Sequence, residues 1–298
     1  MEFKSGFVSI IGRPNVGKST LMNKLVGEKI AITSNKPNTT RNRIQSILTT
    51  DDGQVIFIDT PGLLENPNNK LGEFLKKSAR STFNEVDILL FVIEPDKRIG
   101  RVDKSIIESI QSIKSPIFLI INKIDTVKKD DLLEIIDLYQ KAYNFAEIIP
   151  VSAINDSLND LVATIFKYLP QGIKYFPDDM ITDQPERHLV SELLREKALR
   201  LLQEEIPHGI AVEIITMKKR KNNNLIDIHA NIYCEKDSHK RIIIGKNGEM
   251  LKKISTYARE DIERLLGSKI FLQTWVKVKK NWRDNDFLLK NFGYKNYD

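Results

Sequence analysis

Eight consecutive residues, Gly12-Arg13-Pro14-Asn15-Val16-Gly17-Lys18-Ser19, have the spacing of a phosphate-binding loop. The glycines let the backbone wrap an anion, so that amide groups and a helix N-terminus face the negative charge. Lys18 is placed to reach β- and γ-phosphates. The Ser19 hydroxyl is placed to bind Mg²⁺, with Thr20 beside it at the start of the helix. Taken alone, this loop leaves ATP and GTP open.

The base is selected elsewhere. Asn122-Lys123-Ile124-Asp125 follows an apolar run, Ile117–Ile121, and loops at strand C-termini build ligand sites. A carboxylate at Asp125 can accept hydrogen bonds from the N1–H and exocyclic amine of guanine. Adenine has neither donor there, and a buried Asp125 beside it would be left unpaired. Such a site discriminates by on the order of 10⁴. Ser152-Ala153, after Ile148–Val151, is expected to give a backbone amide to the guanine oxygen.

A third group completes the chemistry. Asp59-Thr60-Pro61-Gly62 ends the run Val55–Ile58; Asp59 is expected to hold Mg²⁺ through water, and the Gly62 amide to sense the γ-phosphate. Thr39-Thr40-Arg41 follows a polar stretch, Ser34–Asn38, and Thr40 is expected to complete the metal shell only when the γ-phosphate is present. A loop ordered by phosphate and metal, then released after hydrolysis, is a switch.

Far downstream, Ile242-Ile243-Ile244-Gly245-Lys246-Asn247-Gly248 places GxxG between an apolar run and a helix. It resembles the loop with which KH domains clamp about four nucleotides, the glycines allowing close backbone approach. Ile244, Gly245, Lys246, Asn247 and Gly248, with Arg241, Lys252 and Lys253 flanking them, are the expected RNA contacts. Trp275, Lys277 and Lys279 fall on one side of a terminal strand, where an aromatic could stack on a base. Core packing is an equal reading for Trp275 and Trp282.

These residues need elements to hold them. Mostly continuous apolar runs at Phe7–Ile11, Val55–Ile58, Ile88–Ile93, Ile117–Ile121 and Ile148–Val151 alternate with helical stripes. That pattern predicts an α/β domain over 1–172, a largely parallel sheet with helices on both faces. Arg43–Thr50 is expected to pair antiparallel with Val55–Asp59. The pattern lapses into Pro, Gly and Asp around Gln171–Pro185, and residues 173–185 read as a linker. Over 186–298 the order is helix, strand, strand, short helix, helix, strand, an α+β module. Its first helix is expected over Glu186–Glu205 with one apolar face. Its second strand alternates Ile226, Ile228, Ala230, Ile232 and Cys234 inward against Asp227, His229, Asn231 and Tyr233 outward.

Composition narrows the class. The 298 residues are 41% hydrophobic and 29% charged, with no apolar run near the roughly 20 residues that span a bilayer. One cysteine, Cys234, excludes an internal disulfide framework, and no secretory signal is expected in the first residues. The four histidines show no ligand spacing. Residues 1–172 carry 22 Lys/Arg against 21 Asp/Glu, whereas 218–298 carry 19 against 10, so any polyanionic partner is expected at the C-terminal module.

In this order, Gly12–Ser19, Thr39–Arg41, Asp59–Gly62, Asn122–Asp125 and Ser152–Ala153 resemble the five signature motifs of translation-factor-class G proteins. Together with the GxxG module, which resembles a type II KH domain, they resemble the Era family of GTPases over essentially the whole chain. The resemblance implies GTP/GDP and Mg²⁺ as ligands and a cytoplasmic protein, expected to be a monomer, that associates peripherally with the membrane. It further implies binding near the 3′ end of small-subunit ribosomal RNA and a role in maturing the small ribosomal subunit. An alternative is a switch whose KH domain recruits protein or membrane partners. Leu63 stands where Ras-like proteins carry the glutamine that orients water, so turnover is expected to be slow. The resemblance offers K⁺, held at Asn15, as the compensating charge, which adds Asn15 to Lys18, Thr40 and Gly62 as catalytic groups.

Overall fold

The structure, a computed structural model, describes residues 2–294 apart from 35, 37, 38, 42, 43, 63–68, 82–85, 222 and 223. Leu63, Asn38 and Arg43 lie outside the described residues. The chain divides into two units. The first comprises residues up to Ala31, Thr40–Asn68 and Gly72–Asp183; the second comprises Ile32–Thr39, Asn69–Leu71 and Gln184–Asp298.

In the first unit the order is β1 (Lys4–Ile11), α1 (Lys18–Val26), β2 (Ile44–Thr50), β3 (Gly53–Asp59), α2 (Lys70–Ser81), β4 (Ile88–Ile93), α3 (Arg101–Ile110), β5 (Ile117–Ile121), α4 (Lys129–Ala142), β6 (Glu147–Pro150) and α5 (Asn159–Tyr168). The strands form one sheet in the order β2-β3-β1-β4-β5-β6, parallel except for β2. Every residue of β3, β4 and β5 is buried, which is why these strands read as continuous apolar runs rather than alternating ones. Parallel pairing also sets Asp59 beside Ile10 and Ile121 beside Ile93 and Pro150. The segments after β1, β3, β5 and β6 therefore leave the sheet from the same edge.

Residues 173–183 are not the free linker their composition suggests. The buried Gln54 carboxamide accepts from the amides of Tyr175 and Phe176 (both 2.9 Å) and donates to the Phe176 carbonyl (2.9 Å). Further on, Ile47 N–H donates to Ile181 (2.9 Å) and the Thr182 hydroxyl to Gln45 (2.6 Å). The segment fastens to the open edge of β2, which would otherwise leave backbone groups unpaired.

The second unit holds α6 (Glu186–Leu201), β7 (Ala211–Lys219), β8 (Leu225–Cys234), α7 (Asp237–Ile244), α8 (Glu249–Leu266), β9 (Lys269–Val278) and α9 (Asp286–Asn291). β8 lies between β7, antiparallel, and β9, parallel. Val190, Leu194 and Ala198 of α6 and Ile254, Ala258 and Ile262 of α8 share one core with Ile228, Ala230, Ile232 and Cys234 of the sheet. Cys234 is the small core residue expected; burial pushes its thiol up to about 11.

Two expectations for this unit need correction. α6 ends at Leu201, not Glu205, and a 3₁₀ turn over Ile206–Gly209 follows with Pro207, whose ring cannot continue the helix. On its polar side, Glu192, Arg195 and Glu196 are buried. Glu196 accepts from Thr33 N–H (3.2 Å) and pairs with Arg200 (2.6 Å), while Arg195 donates to Glu192 and to the Thr39 carbonyl. Thr33 and Thr39 thus meet the buried charges of α6. Likewise, Asn231 and Tyr233 are buried on the outer side of β8; the Phe292 ring lies tilted against Tyr233 with centroids 4.8 Å apart, and Asn231 donates to the Tyr233 hydroxyl (3.1 Å). Trp282 belongs to the core and donates to the Gly209 carbonyl (2.9 Å).

Candidate functional site

The loop between β1 and α1 is held from several directions. Gly17 has φ +98°, and a Cβ there would lie 2.2 Å from Asn122 Nδ2, so only glycine fits. Asn122, the first residue after β5, is buried; its Nδ2 donates to the Val16 carbonyl (2.8 Å) and its Oδ1 accepts from Ala153 N–H (3.0 Å). Lys123 adds a bond to the Asn15 carbonyl (2.8 Å) and an ion pair with Glu94. Glu94 also pairs with Arg13 (3.0 Å), so the Arg13 side chain turns to the acids Glu94, Asp96 and Asp103 and away from the loop's own cradle. Pro14 packs against Gly62, and Val16 is buried beneath the loop.

Lys18 is buried where the loop meets α1, and its Nζ donates to the carbonyls of Gly12 (3.0 Å) and Arg13 (2.9 Å). Burial lowers its pKa to about 8 even though Asp59 and Asp103 oppose the shift. Phosphate oxygens would supply the negative charge that this ammonium lacks.

Ser19, Thr40 and Asp59, the three predicted metal ligands, come together. Asp59 Oδ2 accepts from the Ser19 hydroxyl (2.8 Å) and the Thr40 hydroxyl (3.1 Å), and the two hydroxyls lie 2.9 Å apart. The other oxygen, Asp59 Oδ1, is buried with no hydrogen-bond partner among the described residues. Burial raises the Asp59 pKa against the pull of Lys18 and both hydroxyls. Two hydroxyls and an under-satisfied carboxylate form an all-oxygen set, the kind a hard cation such as Mg²⁺ takes, so the residues present fit the ion. Thr60 does not join them; its hydroxyl donates to the Ile10 carbonyl (2.8 Å) and anchors the segment to β1. Thr20 follows Ser19 on α1, and Pro61 and Gly62 are buried beyond Thr60.

At the base loop two expectations change. Asp125 is exposed, not buried, because it sits in the one-turn 3₁₀ helix Ile124–Thr126 at the rim; the Ser152 hydroxyl (2.5 Å) orients it. The backbone amides of Ser152 and Ala153 are both engaged, by Asp156 (2.5 Å) and Asn122 (3.0 Å), so they order the loop instead of standing open to a base. Glu94 and Asp156 are the positioning residues that motif reading misses. Glu94 follows β4 at the same strand edge as the other loops, and that placement was its available signal; for Asp156 spacing offered none.

In the second unit, Gly245 (φ +75°) and Gly248 (φ +79°) bracket a 3₁₀ turn between α7 and α8. A Cβ on Gly245 would fall 2.7 Å from Met250 Cβ. The apolar lead-in is the end of α7: Ile243 enters the core, Ile244 is half-buried and Ile242 is exposed. Arg241, Lys246, Asn247, Lys252 and Lys253 are all exposed around this turn. Cations therefore ring a backbone that an extended polyanion can approach closely.

Residues 7–123 match the family model of a 50S ribosome-binding GTPase, and residues 205–283 match that of a KH domain. The chain is 58% identical over 294 residues to GTPase Era of Clostridioides difficile, covering 98% of this chain and 99% of that protein. It is 56% identical over 293 residues to GTPase Era of Clostridium kluyveri, with the same coverage. The chain belongs to the Era family of GTPases. Two solved Era structures superpose on it at 40% identity, each covering 98% of this chain and 99% of the other. They are an Aquifex aeolicus Era variant bound to GDP·AlF4⁻ (TM-score 0.94) and Era in complex with MgGDPNP and nucleotides 1506–1542 of 16S ribosomal RNA (TM-score 0.95). As an Era-family member the chain is a GTP-hydrolysing enzyme, and its fold is that family's: an α/β GTPase domain followed by a KH domain.

The tether through Asn122 yields a prediction. Asn122→Ala removes two buried hydrogen bonds and leaves a carbonyl and an amide unpaired, a loss of about 3 kcal/mol in loop order. GDP and GTP affinities should both fall by roughly two orders of magnitude in a fluorescent-nucleotide titration. Unchanged affinities would mean that the phosphate loop is ordered without this side chain.

Proposed function

We propose that this protein is a GTP-driven switch that binds the 3′ end of small-subunit ribosomal RNA and assists maturation of the small ribosomal subunit. The observation that carries the reading is the joint presence, over one full-length Era match, of the Ser19–Thr40–Asp59 cluster and the exposed, cation-ringed Gly245–Gly248 turn. The relative solved with both MgGDPNP and 16S ribosomal RNA supports pairing these ligands in one chain. In this reading residues 1–172 carry the nucleotide, 186–298 carry the RNA, and 173–185 connect them. The protein works in the cytoplasm and touches the inner face of the membrane peripherally; no helix among the described residues is long and apolar enough to cross one.

Each group has a task. Lys18 and the amides of Gly12–Ser19 hold the phosphates in line for attack and stabilise charge on the transferring group. Ser19, Thr40 and Asp59 would hold Mg²⁺, which neutralises charge on the β- and γ-phosphates. Gly62 offers its amide to the γ-phosphate. Asp125, oriented by Ser152, accepts from the guanine N1–H and amine; the base itself would cover this carboxylate, so the penalty for an unpaired partner arises on binding. Asn122, Lys123 and Ala153 keep the loops in register. The chain passes between its units at Thr39/Thr40, and a Thr40 drawn to metal and γ-phosphate pulls directly on the stretch that covers α6. RNA and nucleotide would then alter each other's affinity by the same factor.

Two measurements check this reading. RNA crosslinked to the GTP-locked protein in cells should map to the 3′ end of small-subunit ribosomal RNA, and Gly245→Asp with Lys246→Glu should sharply reduce that crosslinking while GTP turnover persists. Crosslinking left undiminished by both changes, or binding to lipid vesicles without RNA, contradicts it. Asn15 is exposed with φ +69°, at the phosphate loop where a K⁺ ion would add charge. Turnover should be at least about tenfold faster in K⁺ than in Na⁺ buffer, and Asn15→Ala should erase the difference; equal rates in both salts reject the K⁺ role.

A further inference from the structure

The sheet of the second unit has one face against α6 and α8 and another turned away from them. Register decides which residues share that outer face. Lys218, Asp227 and Phe271 form one row, Thr216, His229 and Gln273 the next, and Glu213, Asn231 and Trp275 a third. Phe292 covers the end of the face at Tyr233 and Asn231 is buried beside it, whereas Lys218, Phe271, Trp275 and Lys277 are exposed. Trp275 is 45% exposed and Phe271 44% exposed, although β9 has buried apolar positions on its inner side.

The surroundings are basic. Lys218, Lys219, Arg220 and Lys221 are exposed where β7 ends, and Lys277 follows Trp275 along β9. The acids that face the patch are already used: Arg220 holds Asp227 through two bonds (2.7 and 2.8 Å), and Glu213 accepts from the Tyr233 hydroxyl (2.7 Å). The Arg220 guanidinium also lies 5.6 Å from the Phe271 ring centroid, and His229 meets Trp275 edge-on at 5.5 Å. Trp275 and Phe271 stand four residues apart on one strand, about 13 Å, so each can take a separate base.

We infer that this outer sheet face is a second RNA-binding surface, on which Trp275 and Phe271 stack unpaired bases while Lys218 and Lys277 meet the phosphates. Aromatic rings on an open sheet are how other single-strand binders gain sequence-tolerant affinity. The charge of the patch matches a polyanion and opposes an acid-free apolar partner. Length gives a reason for it: a GxxG turn holds about four nucleotides, far fewer than the stretch 1506–1542 carried by the related complex. The inference rests on the RNA-binding reading above and extends it from one surface to two.

The test uses the full chain, the RNA of nucleotides 1506–1542, and hexanucleotides tiled across it. Trp275→Ala with Phe271→Ala should weaken the long RNA by about tenfold per ring removed and leave the tightest hexanucleotide unchanged, which also shows that the fold is intact. Trp275→Phe should restore much of the loss, and Lys218→Glu should weaken the long RNA alone. Long RNA should quench the emission of exposed Trp275 but not that of core Trp282. Equal long-RNA affinity in wild type and the double variant, or no quenching, overturns the inference and leaves the face to a protein partner. If wild type binds neither the long RNA nor any hexanucleotide, the RNA-binding reading itself falls, and this one with it.

Discussion

One buried carboxamide joins the parts of the nucleotide site. Asn122 sits at the end of β5 and bonds to the Val16 carbonyl on one side and the Ala153 amide on the other. The phosphate loop, the base loop and the loop after β6 are thereby fixed to one another across three strand ends. Gly17 is forced to be glycine by this contact, since any Cβ would strike the same side chain. Parallel pairing delivers the loops to one edge, but it does not set their spacing; Asn122, with Lys123 and Glu94 behind it, does.

The charges inside this frame are left wanting. Lys18 is buried, bonds to carbonyls and has a lowered pKa despite the charges of Asp59 and Asp103, while Asp59 is buried with one oxygen lacking a hydrogen-bond partner among the described residues and has a raised pKa. Groups in that condition destabilise the site on its own and gain when an anion and a cation arrive together. A phosphate–Mg²⁺ pair meets both needs at once, one ion for each mismatch. Thr40 is bonded into the same cluster, one residue from Thr39, whose carbonyl receives Arg195 of α6. Local electrostatics therefore has a short covalent path to the second unit.

The catalytic motifs were legible because their chemistry demands fixed spacing on consecutive residues. Strand runs were legible because β3, β4 and β5 are buried on both faces. What escaped were partnerships made at a distance. Nothing in Gln171–Pro185 reveals that buried Gln54 needs three backbone partners and finds them there. Periodicity gives α6 one apolar face but no sign that Thr33 and Thr39 meet its charged side. The Ser152 and Ala153 amides looked available because their acceptors, Asp156 and Asn122, are chosen by loop geometry rather than by pattern. Asp125 was placed in the right loop but at the wrong depth, since a one-turn 3₁₀ helix sets it at the rim.

The central claim is that the frame built around Asn122 presents Asp125 to guanine and to no other base. Calorimetric titration of the wild-type chain with GTP and with ATP, each with Mg²⁺, tests it most directly. The account predicts a preference for GTP on the order of 10⁴. Equal affinities for the two nucleotides would contradict it.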